Sequence, residues 1–304
     1  MSETLTAESA QPVQVTLPDR KPEWLKVKGA FGENYRWVKN TISDLNLHSV
    51  CQEAMCPNIG ECFSHKTATF LMLGNVCTRG CTFCDIARGK PGFLDSDEPR
   101  RIVEAVKRMG LQYVVLTSVT RDDLADGGAG IFAECVRQIY RHLPGVEVEV
   151  LVPDFKGSRE ALKIVLDAKP LVFNHNMETV ERLYPTVRKG SKYDRSLDFL
   201  KAAKDIDPAT TTKSGIMVGL GETWDEIVVV LKDLRTAQVD LVTIGQYLRP
   251  SGWHLKVERF YHPDEFRKLR EQGLEMGFSN VFSGPLVRSS YHAKEQALFG
   301  HKAC

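Results

Sequence analysis

Residues 68–84 read Ala68-Thr69-Phe70-Leu71-Met72-Leu73-Gly74-Asn75-Val76-Cys77-Thr78-Arg79-Gly80-Cys81-Thr82-Phe83-Cys84. The stretch from Ala68 to Gly74 is a short apolar run closed by glycine, the pattern of a buried strand. A loop carrying three cysteines follows at once. Three thiolates at x3 and x2 spacing can converge on three corners of a [4Fe–4S] cubane, which normally takes four cysteine ligands. One iron is then free for a substrate or cofactor, so a triplet points to chemistry where a quartet points to electron transfer.

Immediately upstream lies a second triplet, Cys51-x4-Cys56-x5-Cys62, so six of the eight cysteines fall between 51 and 84. Cys56-Pro57-Asn58-Ile59-Gly60-Glu61-Cys62 is rich in turn formers, which predicts ligands carried on a loop. Structural zinc would use paired CxxC units or added histidines, and only Cys81-x2-Cys84 is such a pair. Disulfides belong to oxidising compartments and to chains too small for a core. Cys135 sits in a helical pattern and reads as a core thiol; Cys304 reads as incidental.

Downstream, apolar runs recur at Tyr113–Val119, Val146–Val152, Leu171–Asn174, Lys213–Leu220 and Leu241–Gly245, giving six strands with the first. Helical spacing fills the intervals: 98–109, 131–143, 159–168, a pair at 177–184 and 193–206, 223–237, and then 263–276, with Pro263 suited to a first turn. Strand–helix alternation predicts parallel strands joined by crossovers. The expectation is an α/β chain with an open parallel (β/α)6 partial barrel at 66–280. An N-terminal extension (21–65, with a helix at 34–47) carries the first triplet, and a C-terminal extension covers 281–304. Residues 1–20 are polar and aperiodic and read as a disordered tail.

In parallel barrels the working groups collect at the C-terminal strand ends. The second strand ends at Thr117 and leads to Gly127 and Gly128, whose backbone could approach a ligand and whose neighbouring N–H groups could meet a carboxylate at a helix start. Asn174 and Asn176 share one parity and face the mouth, while His175 points the other way onto a helix. Gly219-x-Gly221 permits close approach by a ligand such as adenine; Arg249 reads as a substrate contact or a surface charge. Near the end stands Arg288-Ser289-Ser290-Tyr291-His292, where a serine could also cap the last helix.

Cys77-x3-Cys81-x2-Cys84, with Phe83 before the last cysteine, resembles the signature loop of the radical S-adenosylmethionine (SAM) enzymes. The extra triplet and Arg288–His292 narrow the resemblance to the lipoyl synthases, to which the chain from about Lys21 onward is similar. The resemblance implies the radical SAM fold and two [4Fe–4S] clusters. Cys77, Cys81 and Cys84 would hold the catalytic one, with SAM chelating its open iron near Phe83, Thr117, Gly127, Gly128, Asn174 and Asn176. Cys51, Cys56, Cys62 and Ser290 would hold an auxiliary cluster. Alkoxide is a hard ligand for a cluster that prefers soft thiolates, which makes Ser290 the easiest ligand to release. The reaction so implied is insertion of two sulfur atoms at C6 and C8 of an octanoyl group on a lysine of a lipoyl carrier domain, using two SAM molecules and sulfur from the auxiliary cluster. The carrier would be a glycine-cleavage H protein or a 2-oxoacid dehydrogenase E2. Ferredoxin or flavodoxin would supply electrons, and iron–sulfur carrier proteins would supply clusters. The alternative is another radical SAM enzyme with an auxiliary cluster, a dehydrogenase or a methylthiotransferase; no appended RNA-binding domain is evident.

The 40 basic and 39 acidic residues leave a formal net charge of +1 over 304 residues, so no global field points to nucleic acid or a membrane surface. No run of eighteen or so apolar residues suggests a transmembrane helix. The first basic residue is Arg20, which fits neither a signal nor a transit peptide. A monomer in a reducing cytoplasm is expected, with Arg188, Lys189 and Lys192 as candidate docking charges for an acidic carrier.

Overall fold

The computed structural model of the chain describes residues 21–27, 29 and 32–300, with side chains to 297. The expected N-terminal tail and Cys304 lie outside the described residues. Strands run β1 (His48–Ser49), β2 (Thr69–Met72), β3 (Val76–Cys77), β4 (Ala87–Arg88), β5 (Tyr113–Ser118), β6 (Glu147–Leu151), β7 (Val172–Asn174), β8 (Thr211–Val218), β9 (Leu241–Gln246) and β10 (Asn280–Gly284). Helices are α1 (Glu33–Asp44), α2 (Val50–Glu53), α3 (Ile59–Ser64), α4 (Glu98–Met109), α5 (Ala129–His142), α6 (Arg159–Leu166), α7 (Tyr184–Val187), α8 (Tyr193–Ile206), α9 (Trp224–Thr236), α10 (Pro263–Glu275) and α11 (Ala293–Gly300).

One eight-stranded sheet has the order β1-β2-β5-β6-β7-β8-β9-β10. The six expected strands are its consecutive members β2, β5, β6, β7, β8 and β9, all mutually parallel. β1 adds antiparallel to β2, and β10 adds parallel to β9 with Asn280 opposite Leu241 and Gly284 opposite Gly245. The sheet therefore curls without closing. β10 escapes a sequence reading because Asn280-Val281-Phe282-Ser283-Gly284 holds only two apolar residues. α10 seats on it through Gly273, where a Cβ would stand 2.8 Å from a Val281 methyl.

Local chemistry sets the helix bounds. α4 buries Ile102, Ala105, Val106 and Met109 on one face, the i, i+3, i+4, i+7 spacing of a helix on a sheet, and stops at Gly110 with φ 64°. Full burial of a side chain such as Ile102 contributes about 1.5–3 kcal/mol. α9 begins in a capping box, the Glu226 amide bonding the Thr223 hydroxyl at 3.2 Å and the Thr223 amide bonding the Glu226 carboxylate at 2.8 Å.

Two expectations need correction. Residues 177–184 do not form a helix throughout. The Glu178 amide bonds the Gly215 carbonyl at 2.9 Å and the Met217 amide bonds the Glu178 carbonyl at 2.9 Å, so β8 captures this backbone first. Helical turns resume only from Glu181. The first triplet is also not confined to a loop: Cys51 lies on α2, capped by the Ser49 hydroxyl, and Cys62 on α3; only Cys56 is between elements. No helix among the described residues is long and apolar enough to cross a membrane.

Candidate functional site

The Cys77–Cys84 loop leaves β2 at the C-terminal end of the sheet, and β3 pairing with β4 closes its base. Its backbone is fastened to three neighbours. The Thr78 amide and hydroxyl both donate to the Thr120 carbonyl beyond β5, at 3.0 and 2.9 Å. The Thr82 amide meets the Val187 carbonyl at 3.0 Å and its hydroxyl the Thr186 carbonyl at 2.9 Å, at the end of α7. His254 Nε2 lies 3.2 Å from the Cys84 carbonyl.

Arg79, inside the loop and nearly buried, is the strongest fastening. Its guanidinium bonds both oxygens of Asp122 at 2.7 and 2.9 Å, Asp154 at 2.7 Å and the Ser191 hydroxyl at 3.0 Å. Arg195 holds the other oxygen of Asp154 at 2.8 Å. Burial pushes the Cys81 thiol up to about 11, with Arg188 opposing and Glu178 and then Cys77 adding to the rise, and the Cys84 thiol up to about 12, with Cys81 and Cys77 adding to the rise. The Cys77 sulfur accepts from the amides of Thr120 and Arg79 at 3.3 and 3.4 Å.

The thiols of the first triplet are raised in the same way. Burial and then the nearby Cys56 push Cys62 up to about 12 and Cys51 well above the usual thiol range. Among the described residues no group of three or more His, Cys, Asp or Glu is arranged to hold a metal ion. A cubane spreads its irons over separate corners, so its ligands stand farther apart than those of one ion. The donor set fits such a cluster: six free cysteines in two groups.

The C-terminal motif folds back onto this first group. Asn58 Nδ2 donates to the Leu286 carbonyl at 2.7 Å and the Tyr291 hydroxyl donates to Glu61 at 3.0 Å. His292 Nε2 is 3.5 Å from the same carboxylate. Ser289 is claimed from inside the barrel, its hydroxyl by Asn176 Nδ2 at 2.7 Å and its carbonyl by Lys213 Nζ at 2.6 Å. It therefore does not cap α11, which starts at Ala293. Ser290 follows directly, half-buried. The segment crosses β8 and β9 at two glycines. A Cβ on Gly215 would stand 2.5 Å from Thr243 Oγ1 and 3.1 Å from Ser289 Oγ, and one on Gly245 would stand 2.1 Å from the Val287 carbonyl oxygen. Gly245→Ala is expected to displace residues 285–292 at a cost of about 1–3 kcal/mol. Hydrogen exchange would read this as lost protection in the tail with the β5–β7 amides unchanged.

The remaining predicted residues are distributed as follows. Asn174 is fully buried, its Nδ2 on Glu149 at 3.0 Å. The Thr117 hydroxyl donates to the Leu151 carbonyl at 2.9 Å. Phe83 packs against Val187, Leu220 and Tyr247. The side-chain oxygens of Asn174 and Asn176 and the hydroxyl of Ser118 are buried without a hydrogen-bond partner. Such atoms are costly to leave unsatisfied, and their place at the mouth fits a polar cofactor such as SAM.

Gly127 (φ 62°) and Gly128 (φ 92°) pack closely against the chain itself. Their Cβ positions point at Phe155 (2.8 Å) and Leu73 (2.3 Å), and the amides of Gly128 and Gly130 bond Asp126 at 2.9 and 2.8 Å. The carboxylate at this helix start is the chain's own. A Cβ on Gly219 would likewise meet Gln246 and the Arg259 carbonyl. Arg249 ties down its own loop through the His254 and Gly252 carbonyls.

His175 packs on α8, as its parity predicts, with Nδ1 at 2.8 Å from the Val152 carbonyl and Nε2 at 3.1 Å from Ser196. Burial and then the Arg188 charge push it down to about 3, so it is neutral. Arg188 is itself buried, bonded to Tyr184 and Ser196 at 2.9 Å each, and is not a docking charge.

Sequence reasoning missed Arg79, Asp122, Asp154, Glu149, Lys213 and Glu178. A signal existed for two of them: Glu149 and Lys213 are charged residues within runs read as buried strands. Glu178, with φ 66°, accepts from Asn176 at 3.0 Å; burial raises its carboxyl, with Arg188 and Arg288 opposing. A cleft of about 540 Å³ on the outside, lined by Lys156, Arg159, Arg195, Asp198 and Lys201 among others, contains none of the cysteines.

Residues 71–234 match the Radical SAM superfamily model, and residues 5–56 match the N-terminal domain of lipoyl synthase. A lipoyl synthase from Rubrobacter xylanophilus is 58% identical over 276 residues, covering 91% of this chain and 86% of that one. The chain belongs to the lipoyl synthase family. A second lipoyl synthase, from Hahella chejuensis, is 51% identical over 293 residues, covering 95% of this chain and 88% of its own. Among solved structures, the FeFe-hydrogenase maturase from Carboxydothermus hydrogenoformans superposes with TM-score 0.58 at 15% identity, covering 75% of this chain and 55% of that one. Methylornithine synthase gives 0.51 at 20% identity, covering 62% and 55%. These two bear on the fold alone, the open radical SAM barrel. Lipoyl synthase membership makes the chain a radical SAM sulfurtransferase, of a class that works with a [4Fe–4S] cluster and SAM.

Proposed function

We propose that this lipoyl synthase inserts two sulfur atoms at C6 and C8 of an octanoyl group carried on a lysine of a lipoyl carrier domain. In this reading Cys77, Cys81 and Cys84 hold the catalytic [4Fe–4S] cluster, while Cys51, Cys56, Cys62 and Ser290 hold an auxiliary [4Fe–4S] cluster that is consumed as sulfur donor. The observation that carries it is the tethering of the C-terminal segment to the first-triplet region, Leu286 to Asn58 and Tyr291 of the Arg288–His292 motif to Glu61. It draws residues some 230 positions apart to one place, which an electron relay on three cysteines would not need.

When bound, the catalytic cluster and SAM supply a 5′-deoxyadenosyl radical able to take hydrogen from unactivated alkyl carbons. The chain's own part is placement and exclusion of water. Asn174, Asn176 and Thr117 at the strand ends, with Phe83 of the cluster loop, would hold SAM. Gly127 and Gly128 would shape the wall behind it. The fastenings of the cysteine loop keep three thiolates converged, which lowers the reorganisation needed at loading.

In domain terms, 21–65 and 281–304 serve as two arms of one auxiliary site on a barrel spanning 66–280. The carrier would be a glycine-cleavage H protein or a 2-oxoacid dehydrogenase E2 domain, docked as a monomer-to-monomer contact near Lys189 and Lys192. Ferredoxin or flavodoxin would supply electrons and iron–sulfur carriers the clusters, in a reducing cytoplasm that keeps the thiols free. The test is mass spectrometry of an octanoyl-lysyl peptide after anaerobic incubation with reconstituted protein, SAM and a strong reductant. A gain of two sulfur atoms, with two 5′-deoxyadenosines per product, is expected; SAM cleavage with an unchanged peptide would refute the substrate.

A further inference from the structure

Lys213 and Glu149 form an ion pair inside the barrel, 1% and 0% exposed, with Nζ at 2.8 and 3.1 Å from the two carboxylate oxygens. Glu149 also accepts from Asn174 at 3.0 Å and from the Tyr113 hydroxyl at 2.8 Å. Such a pair contributes little net stability, because desolvating both charges costs about what their attraction returns. Apolar residues of the same size would serve the core as well. What apolar residues could not supply is the third bond of the ammonium. It reaches out of the barrel interior to the Ser289 carbonyl at 2.6 Å, one peptide before Ser290.

The rest of the tail's seating runs the same way. Asn176 holds the Ser289 hydroxyl at 2.7 Å, and Gly215 and Gly245 give it room. On the far side Asn58 and Glu61 hold Leu286 and Tyr291. Ser290 is thus bracketed, with its preceding carbonyl fixed from within the barrel and its following side chain fixed to α3.

We infer that Lys213, charge-compensated by Glu149, is a positioning residue that anchors the Ser289 carbonyl and so aims Ser290 at the Cys51/Cys56/Cys62 group. The inference rests on the reading of Ser290 as a cluster ligand. A tail held by a carbonyl stays in place when the serine oxygen lets go, so a released ligand does not unseat the motif.

The test uses Lys213→Met with Glu149→Gln, which removes both charges together and leaves no lone buried ion. Lys213→Arg, which keeps a charged donor, is the second variant. Two readouts are taken. Hydrogen exchange across 284–297 is expected to quicken about tenfold or more in the double variant, the worth of one bond to a charged donor, with partial recovery in Lys213→Arg. Unchanged tail exchange in the double variant overturns the inference. The second readout is the Mössbauer spectrum of the reconstituted cluster in a chain whose Cys77, Cys81 and Cys84 are alanine, so that one cluster is seen. The double variant is expected to shift the spectrum toward that of Ser290→Ala. A parental spectrum in the double variant, where Ser290→Ala differs from the parent, overturns the positioning role. If Ser290→Ala itself leaves the spectrum unchanged, it is the serine-ligand reading that fails, and the exchange readout alone decides whether Lys213 anchors the tail.

Discussion

Replacing Cys81 by alanine is expected to reduce 5′-deoxyadenosine formation to background. Replacing Cys62 leaves that reaction running and abolishes sulfur gain. The two thiols are raised by burial and then by different surroundings, Cys81 by Glu178 and Cys77, Cys62 by Cys56 and Glu61. They also ride on different elements, a loop after β2 and the helix α3. On the proposed ligand sets each substitution takes one of three cysteines from its group, so each should lower bound iron by about four per chain. The losses are separable because nothing in the fastening of the Cys77–Cys84 loop passes through α2 or α3. Parallel assays of iron, 5′-deoxyadenosine and peptide sulfur check this; a Cys62→Ala chain that loses SAM cleavage and sulfur gain together would defeat the two-site reading.

Arg79→Ala carries the second large effect, this time on stability as well as activity. Asp154 is fully buried, and its carboxyl lies well below the usual carboxylate range. Burial works to raise it, and the hydrogen bond and charge of Arg79, helped by Arg195, outweigh that. Removing Arg79 strips the main partner from a buried carboxylate and leaves only the partly exposed Arg195 as its compensating charge, at a cost of about 3 kcal/mol. Thermal unfolding should shift down by roughly 5–10 °C. The sign of the pH dependence follows from the depressed carboxyl. Its stabilisation is full above the unfolded value of about 3.9 and fades as pH falls through the folded one. In the variant the carboxyl rises, so the gap between parent and variant is widest near neutrality and narrows below about pH 4. The same arginine pins the cysteine loop to Asp122 and Ser191, so cluster loading on Cys77, Cys81 and Cys84 should drop while the first triplet still loads. A melting curve that does not move, or moves equally at pH 7 and pH 3.5, would count against the network.

Much of the molecule is legible without coordinates. The periodicity of six apolar runs and the spacing of both triplets are short-range properties, decided within one turn or one strand. Strand β10 and the irregular path at 177–180 were not legible, because each takes its form from a partner strand rather than from its own residues. Gly127 and Gly128 illustrate the limit. A glycine pair permits close approach by something, and only the packed neighbours reveal that Phe155 and Leu73 are what approach.

By itself, then, the sequence singled out the residues proposed to bear the chemistry, six cysteines and the serine motif, and the alternation of strands and helices that makes the parallel sheet. Spacing along a chain is enough for that within each triplet, since residues so few positions apart cannot be far apart in space. Tertiary structure alone decided what holds those residues still. The Arg79–Asp154 pair spans 75 positions, Lys213–Glu149 spans 64 and Lys213–Ser289 spans 76. Groups that distant in sequence meet only when the sheet has curled around them, and burial then makes the loss of one partner far more costly than it would be in water.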